Sequence, residues 1–141
     1  MKRFLFLLTA VVLLSISATP AFAQKKLEKR YEYTLKNLKL NKETEAKFGP
    51  VLRAYLTEKK AANEKYDNLK DKYKAAEKAG TLTDSQATQL LEAKFECDAA
   101  ELEVKKRYYT EFLKVLKPKK VYYAFDLAND KMSKIDGKDK D

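Results

Sequence analysis

The side-chain types that usually carry chemistry are scarce in this chain. Its 141 residues contain no histidine, a single cysteine (Cys97) and three glycines. Histidine is the commonest general base and transition-metal ligand, and a thiolate zinc site or a disulfide framework needs several cysteines. The acidic residues alternate with lysines without the spacing of a calcium loop, and the glycines cannot form a phosphate-binding loop. We therefore expect no catalytic residue, no metal site, no cofactor and no enzymatic activity.

The single thiol allows two interpretations. Cys97 is a small residue in a helical segment, where it can be half-buried and inert. In an oxidising compartment it can also form an intermolecular disulfide across a dimer. The sequence favours the first interpretation and leaves the second open.

Tyrosines and basic residues are the side chains that remain for binding. The chain has nine tyrosines and 30 basic against 21 acidic residues, which gives a net charge of +9 and a pI near 9.4. Tyrosine supplies amphipathic contact area at low entropic cost, and lysine attracts acidic partners over distance. The same residues could instead only solvate the helices or complete a core. The candidates for contacts with other polypeptides, all predicted to lie off the helix seams, are Tyr33, Lys36, Arg53, Lys60, Lys106, Arg107, Tyr108 and Tyr123.

The first 23 residues predict a cleaved signal peptide. Lys2 and Arg3 precede an apolar run, and Ala21-Phe22-Ala23 has the small residues of a cleavage site. The run of about 13 residues is shorter than the roughly 20 needed to span a bilayer. We therefore expect cleavage after Ala23, a periplasmic location and no stable membrane insertion. Export also disfavours nucleic acid as a partner, although the high pI alone would point to it.

Helix-forming residues fill the remainder, which we expect to be one all-α domain over residues 24–133, followed by a disordered charged tail over 134–141. Four helices are predicted, over about 26–39, 42–79, 84–116 and 118–132. Only three residues separate the second helix from the third, so these two must run antiparallel. The predicted architecture is a long antiparallel helical hairpin wrapped by two shorter flanking helices, with a large second face left open.

Three helix starts are marked by local signals. Leu40-Asn41 places an N-cap residue before the second helix, and Gly80 is suited to end it in the left-handed conformation. Leu82-Thr83, with Gln86 three residues on, is a capping box before the third helix. Leu116 and Pro118 frame the start of the fourth, since proline suits the first helical turn. Gly49-Pro50 predicts a kink within the second helix.

Apolar residues at alternating three- and four-residue spacing predict the faces that pack together. The second helix presents one such seam, in which Lys59 is the exception, and Asp98 and Lys105 interrupt the seam of the third. The predicted seam of the second helix is Leu52, Tyr55, Lys59, Ala62, Tyr66, Leu69, Tyr73 and Ala76. The predicted seam of the third is Leu91, Phe95, Leu102, Tyr109, Phe112 and Leu116.

Residues 38–132 resemble the Spy/CpxP-like family of periplasmic proteins, which is recognised by LTxxQ helix starts, and are most similar to Bacteroidetes-type versions. Three segments carry the resemblance: the first motif at 40–50, a charged third helix at 101–109 and the second motif at 113–121. The chain departs from the pattern where Asn41 replaces threonine and where Lys117 occupies a capping position that it cannot fill. The literal LTxxQ, at 82–86, starts the third helix instead.

The resemblance implies a function that the residues alone do not specify. It implies a homodimer, often cradle-shaped, that binds unfolded or partly folded envelope proteins without ATP. Metal-sensing relatives rely on histidine-rich segments, which this chain lacks. We therefore expect an ATP-independent periplasmic chaperone. The alternative is an envelope-stress signalling module that binds one defined partner, such as a sensor domain; a Skp-like trimer would need β-forming ends, which the sequence does not show.

Overall fold

The computed structural model describes residues 21–137, and these form five α-helices and no strand. The helices are α1 (Ala21–Leu38), α2 (Lys42–Ala79), α3 (Asp84–Leu113), α4 (Pro118–Ala128) and α5 (Met132–Ile135). The all-helical prediction is confirmed. Residues 1–20 of the predicted signal peptide and residues 138–141 of the predicted tail lie outside the described part. Within that part, no helix is long and apolar enough to cross a membrane.

The two long helices begin and end at the signals that the sequence carries. The Asn41 side chain accepts a hydrogen bond of 2.8 Å from the Thr44 amide, and Gly80 ends α2 with a φ of 68°. Thr83 and Gln86 exchange side-chain and backbone hydrogen bonds of 3.1 and 3.0 Å at the start of α3. The 38 residues of α2 continue through Pro50 and span about 57 Å at 1.5 Å per residue.

Hydrogen bonds between α2 and α3 show that the two helices run antiparallel. Gln89, near the start of α3, accepts from Tyr73 near the end of α2 at 2.8 Å. Farther along α3, Tyr108 donates to Glu58 at 2.7 Å. Residues nearer the end of α3 therefore pair with residues nearer the start of α2. The short connection between the helices requires this antiparallel arrangement. The predicted α2 seam is confirmed, because all eight of its residues are buried or half-buried.

The main core lies at one end of this helix pair. Phe48, Tyr55, Phe112 and Phe125 pack their rings together, with the Phe112 centroid 4.9 Å from both phenylalanines. The edge-to-face contacts among these rings stabilise the core by more than the burial of their apolar area alone would. Helices α1 and α4 cover this end, whereas the far half of the pair buries only Tyr73 and two small residues of α3.

The face of α3 that packs on α2 differs from the predicted one. The buried residues of α3 are Ala93, Cys97, Val104, Tyr108 and Phe112. Of the predicted seam only Phe112 and Leu116 are buried, and Leu91, Phe95, Leu102 and Tyr109 are 50–65% exposed. Helix α3 is apolar on two opposite faces, and the face with small residues lets α2 approach closely. The hydrogen bonds to Tyr73 and Glu58 are also made from that side.

The fourth predicted helix is in fact two helices. The Arg30 guanidinium of α1 donates to the carbonyls of Ala128 and Asp130, both at 2.7 Å, and so satisfies acceptors at the end of α4. The chain then turns and forms α5, where Lys134 pairs with Asp130 at 3.0 Å. Asp136 pairs with Lys29 of α1 at 2.7 Å, so residues 134–137 of the predicted tail contact the helical body.

Candidate functional site

Helix α3 exposes a line of large apolar side chains, which we call the α3 stripe. Its members are 38–65% exposed and recur at helical spacing on the face opposite the one that packs on α2. Large exposed apolar side chains along one face of a helix are a feature of interaction sites. The α3 stripe consists of Leu91, Phe95, Leu102, Tyr109 and Leu113.

A second exposed surface, the α4 patch, is formed by Tyr122 and Tyr123 and the depression beside them. These tyrosines are 68% and 44% exposed, and their ring centroids lie 5.5 Å apart in an edge-on contact. Val121 and Ala124 turn inward to the core, which directs the two tyrosines between them to the surface. The depression has a volume of about 400 Å³ and is lined by Tyr109, Pro118, Val121, Tyr122, Phe125, Asp126 and Asn129.

Lysines flank the α4 patch in the sequence. The segment 114–120 contains four lysines and no acidic residue. Lys114 pairs with Glu111 at 2.8 Å, and Lys120 donates to the Leu38 carbonyl at 2.5 Å. Lys117 and Lys119 are exposed and form no ion pair with any residue of the described range. The patch therefore combines exposed aromatic rings with basic residues that flank it in the sequence.

Four of the eight residues proposed from the sequence are exposed. Tyr123 lies in the α4 patch, and Lys36 lies in the last turn of α1. Lys106 lies 3.5 Å from Glu103, and Arg107 pairs with Glu58 at 2.8 Å. These four are spread over three helices and do not form one surface.

The other four residues make contacts within the protein. Tyr33 donates to Asp130 at 2.9 Å. The Lys60 ammonium is buried without a hydrogen-bond acceptor among residues 21–137. Tyr108 is 8% exposed, and burial together with its hydrogen bond to Glu58 raises the pKa of its hydroxyl.

Arg53, the last of these four, ties α2 to α1. Its guanidinium makes two hydrogen bonds to the Glu28 carboxylate, at 2.5 and 2.9 Å, and stacks 4.0 Å from the Tyr31 ring centroid. The hydrogen bonds to Glu28 raise the pKa of Arg53 and lower that of the carboxyl. This arrangement holds two helices together, although the Arg53 side chain is still 43% exposed.

The residues of the predicted helix starts have structural roles. Asn41, Thr83 and Gln86 form the caps described above, and Leu116 is buried in the core. Leu40 and Leu82 are half-buried beside the starts of α2 and α3. Pro118 is the first residue of α4 and also lines the depression, so it links a helix start to the α4 patch.

A partly buried group of charges lies where α2 and α3 meet the end of α4. Lys59 contacts the Asn129 side-chain oxygen and lies 3.8 Å from the Glu101 carboxylate. Burial lowers the pKa of Lys59 to about 8, with Glu101 opposing this effect. Burial disfavours ionisation of Glu101 as well, but hydrogen bonds from Lys105 and Asn63 outweigh it and lower that pKa.

The structure shows no grouping of three or more histidine, cysteine, aspartate or glutamate side chains suited to a metal ion within residues 21–137. Cys97 is a free thiol with 3% exposure on the α2-facing side of α3. Its burial fits the interpretation of a structural cysteine. An intermolecular disulfide would require the thiol to leave this interface.

Sequence reasoning missed most of the residues that define the two surfaces, with Tyr123 as the exception. The spacing predicts Leu91, Phe95, Leu102 and Tyr109 in the seam, where they would be buried, and does not distinguish Tyr122 as a contact residue. The signal that could have found them is the second apolar face of α3, formed by Ala93, Cys97 and Val104 at helical spacing. A helix with two opposite apolar faces that buries one of them against a neighbour leaves the other uncovered unless a further element packs on it.

Comparison with known proteins found no relative of this chain. No family model matches the chain, and no curated protein and no solved structure matches it. The resemblance of the helix-start motifs to the Spy/CpxP-like family therefore stays a prediction.

Proposed function

We propose that the protein is an ATP-independent chaperone of the periplasm that holds unfolded or partly folded envelope proteins at the α4 patch. The observation that carries this proposal is the pair of exposed tyrosines at an open depression, with the exposed Lys117 and Lys119 close by in the sequence. The rings of Tyr122 and Tyr123 are adjacent and exposed. Exposed apolar surface of this kind often marks a site of interaction with another protein.

The chemistry of the patch suits partners that lack a fixed shape. An unfolded polypeptide exposes apolar side chains together with its backbone, and tyrosine can contact both through its ring and its hydroxyl. The exposed lysines at 117 and 119 attract acidic segments over about a Debye length. The depression is shallow and open, so it favours weak and exchangeable contacts over a single tight ligand.

The architecture is compatible with this role. We propose that α2 and α3 act as a helical hairpin, with α1 and α4 as the flanking helices of a Spy/CpxP-like cradle. In this arrangement α4 is held to the hairpin through the packed rings of Phe112, which is buried, and Phe125, which is half-buried; their centroids lie 4.9 Å apart. A rigid support of this kind keeps the two tyrosines at the surface whether or not a client is bound.

An aggregation assay with two unrelated client proteins and no nucleotide tests the proposal. The purified protein should suppress aggregation of both clients, and Tyr122→Ser/Tyr123→Ser should lose this protection by about tenfold or more, as truncation of a central contact does. Circular dichroism should show unchanged helix content, because both side chains are exposed.

A matched pair of charge variants provides the control. Lys117→Gln/Lys119→Gln should weaken protection in a salt-dependent way. Lys74→Gln/Lys78→Gln removes the same charge from exposed positions at the far end of α2 and should leave protection unchanged. Protection of neither client, or full protection by the tyrosine variant, would overturn the proposal. Tight, saturable binding of one partner alone would favour the signalling alternative.

A further inference from the structure

The depression of the α4 patch has a carboxylate in its lining. Among the described residues that line it, Asp126 is the only acidic or basic one, and the others are aromatic, apolar or amide side chains. Asp126 is exposed and stands four residues after Tyr122 on α4. Side chains at this spacing are neighbours on a helix surface. The depression therefore places a negative charge beside an exposed aromatic ring.

The Asp126 carboxylate has no partner of its own. Within the described part of the chain it forms no hydrogen bond and no ion pair. Lys134, which it attracts electrostatically, forms its ion pair with Asp130 at 3.0 Å. The Asn129 amide, by contrast, contacts Lys59 and donates to a carbonyl of α4 at 2.8 Å. The depression thus offers one unoccupied acceptor for a cation.

The chain itself shows which cation fits between a carboxylate and a tyrosine ring. Arg53 makes two hydrogen bonds to Glu28, and its guanidinium lies 4.0 Å from the centroid of the Tyr31 ring. Arg107 repeats the arrangement, since it pairs with a glutamate of α2 at 2.8 Å and lies 5.7 Å from the Tyr108 ring centroid. A guanidinium is planar and delocalised, so it can stack on a ring and pair with a carboxylate at once.

Helix α4 presents the same two groups as α1 does. Glu28 and Tyr31 stand three residues apart on α1, and Tyr122 and Asp126 stand four residues apart on α4. In both helices a carboxylate and a ring lie side by side within about one turn. On α1 an arginine of α2 occupies the place between them. On α4 no arginine of the described part does, because Arg30, which reaches this helix, donates to backbone carbonyls.

We infer that the depression is a subsite for an arginine side chain of a bound polypeptide, with the guanidinium over the Tyr122 ring and paired with Asp126. The inference rests on the proposed function and names the client segments that the α4 patch prefers. The volume of about 400 Å³ is within the range of ligand pockets. Tyr109 and the half-buried Phe125 line the same depression and can contact the aliphatic part of the arginine.

Arginine is favoured over the other candidate side chains. Lysine carries a compact charge that neither stacks on a ring as a plane nor pairs with a carboxylate through two parallel hydrogen bonds. An acidic side chain would be repelled by Asp126 at contact distance. The net charge of +9 attracts acidic ligands at long range, so a preference for arginine has to come from the depression itself.

Titrations of the purified, isotope-labelled protein with short capped peptides, followed by NMR, test the subsite. The peptides consist of glycine and serine around one central residue, which is arginine, lysine, glutamine, glutamate or phenylalanine. The arginine peptide should bind about fivefold more tightly than the glutamine peptide, as one exposed cation–π contact and one exposed ion pair together predict. Its largest shifts should fall on α4. Tighter binding of the glutamate or phenylalanine peptide would overturn the inference, and so would equal binding of arginine and lysine.

Two variants of the depression and one matched control locate the contact. Asp126→Asn should weaken binding of the arginine peptide about threefold and leave the glutamine peptide unchanged. Tyr122→Leu keeps apolar area but removes the ring, and should weaken the arginine peptide by a similar factor. Asp71→Asn removes the same charge from an exposed position of α2 and should change neither affinity. Equal effects of the two aspartate variants would refute the pairing with Asp126.

Failure of the subsite and failure of the chaperone are distinguishable. Circular dichroism should show unchanged helix content in all three variants, because the substituted side chains are exposed. A protein that protects both clients from aggregation but shows no preference among the peptides loses only the subsite. A protein that protects neither client but prefers the arginine peptide loses the chaperone role and keeps the subsite.

Discussion

Lys59→Met should make the protein more stable at neutral pH. Lys59 is the one charged residue of the α2 seam, and its side chain is only 20% exposed. Its ammonium contacts the Asn129 side chain and lies 3.8 Å from Glu101, yet burial still lowers its pKa from 10.5 to about 8. The folded state therefore holds this charge at a cost that the nearby carboxylate does not offset.

The sign and size of the effect follow from the two pKa values. Because the folded-state pKa lies below the unfolded value, the unfolded chain binds more protons between about pH 8 and pH 10.5. The free energy of unfolding should thus be lowest below pH 8 and rise through this window. The full difference is about 3 kcal/mol at 1.36 kcal/mol per pKa unit, and about 2 kcal/mol of it should be recovered between pH 7 and pH 9.5.

Methionine removes the charge and keeps the length and flexibility of the side chain. The variant loses its contact with Asn129, which is worth about 1 kcal/mol, so the expected gain at pH 7 is about 2 kcal/mol. It should also lose the rise in stability toward pH 9.5. Urea denaturation followed by circular dichroism at several pH values from 7 to 9.5 measures both effects.

The upper limit of this pH range is set by two tyrosines. Burial raises the pKa of Tyr55 and of Tyr108, so the stability that they contribute declines above about pH 10. Lys65→Met is the matched control, because Lys65 lies on the same helix with a 61% exposed side chain. It should change stability by no more than about 0.5 kcal/mol. If Lys59→Met were no more stable than wild type at pH 7, with an unchanged pH slope, the reasoning would be refuted.

Three further predictions concern contacts that position the helices. A Cβ on Gly49 would lie 2.7 Å from the Tyr31 hydroxyl, so Gly49→Ala should cost about 1 kcal/mol, whereas in a Tyr31→Phe background it should gain about as much from helix propensity. A denaturation cycle of the four variants measures this, and equal effects in both backgrounds would contradict it. Thr83→Ala should cost about 1 kcal/mol and lower Tm by about 4 °C in thermal denaturation, and an unchanged Tm would argue against the capping box. Arg30→Met should cost about 2 kcal/mol by leaving two carbonyls at the end of α4 unpaired, and amide exchange in α4 and α5 should accelerate relative to α2. Unchanged exchange there would count against Arg30 as the link that ends α4.

Helix class and helix starts could be predicted from the sequence because their causes are local. An N-cap, a capping box or a left-handed glycine acts within one turn of the chain. Asn41, Thr83 and Gly80 therefore set boundaries of α2 and α3 locally. The α2 seam was predictable as well, since α2 has one apolar line and thus one way to bury it. The helix boundaries and the α2 seam therefore depend little on how the rest of the chain packs.

The candidate site was less predictable, because the exposure of a side chain depends on which helix faces pack against each other. Tyr108 and Tyr109 are neighbours of one type, yet one is 8% and the other 52% exposed. Helix α3 offers two apolar faces, and the small residues of one face together with hydrogen bonds to α2 decide which face is buried. The end of α4 depends in the same way on Arg30, which is distant in sequence.

The sequence by itself therefore determined an all-helical chain with defined helix starts, one seam and few groups capable of catalysis. Only the tertiary structure decided that Leu91, Phe95 and Leu102 lie on the surface, and that the exposed Tyr122 lines an open depression. The physical reason is a difference in range. Capping and helix propensity are settled within a few residues, whereas the burial of an amphipathic face is settled by competition among all the faces that could cover it.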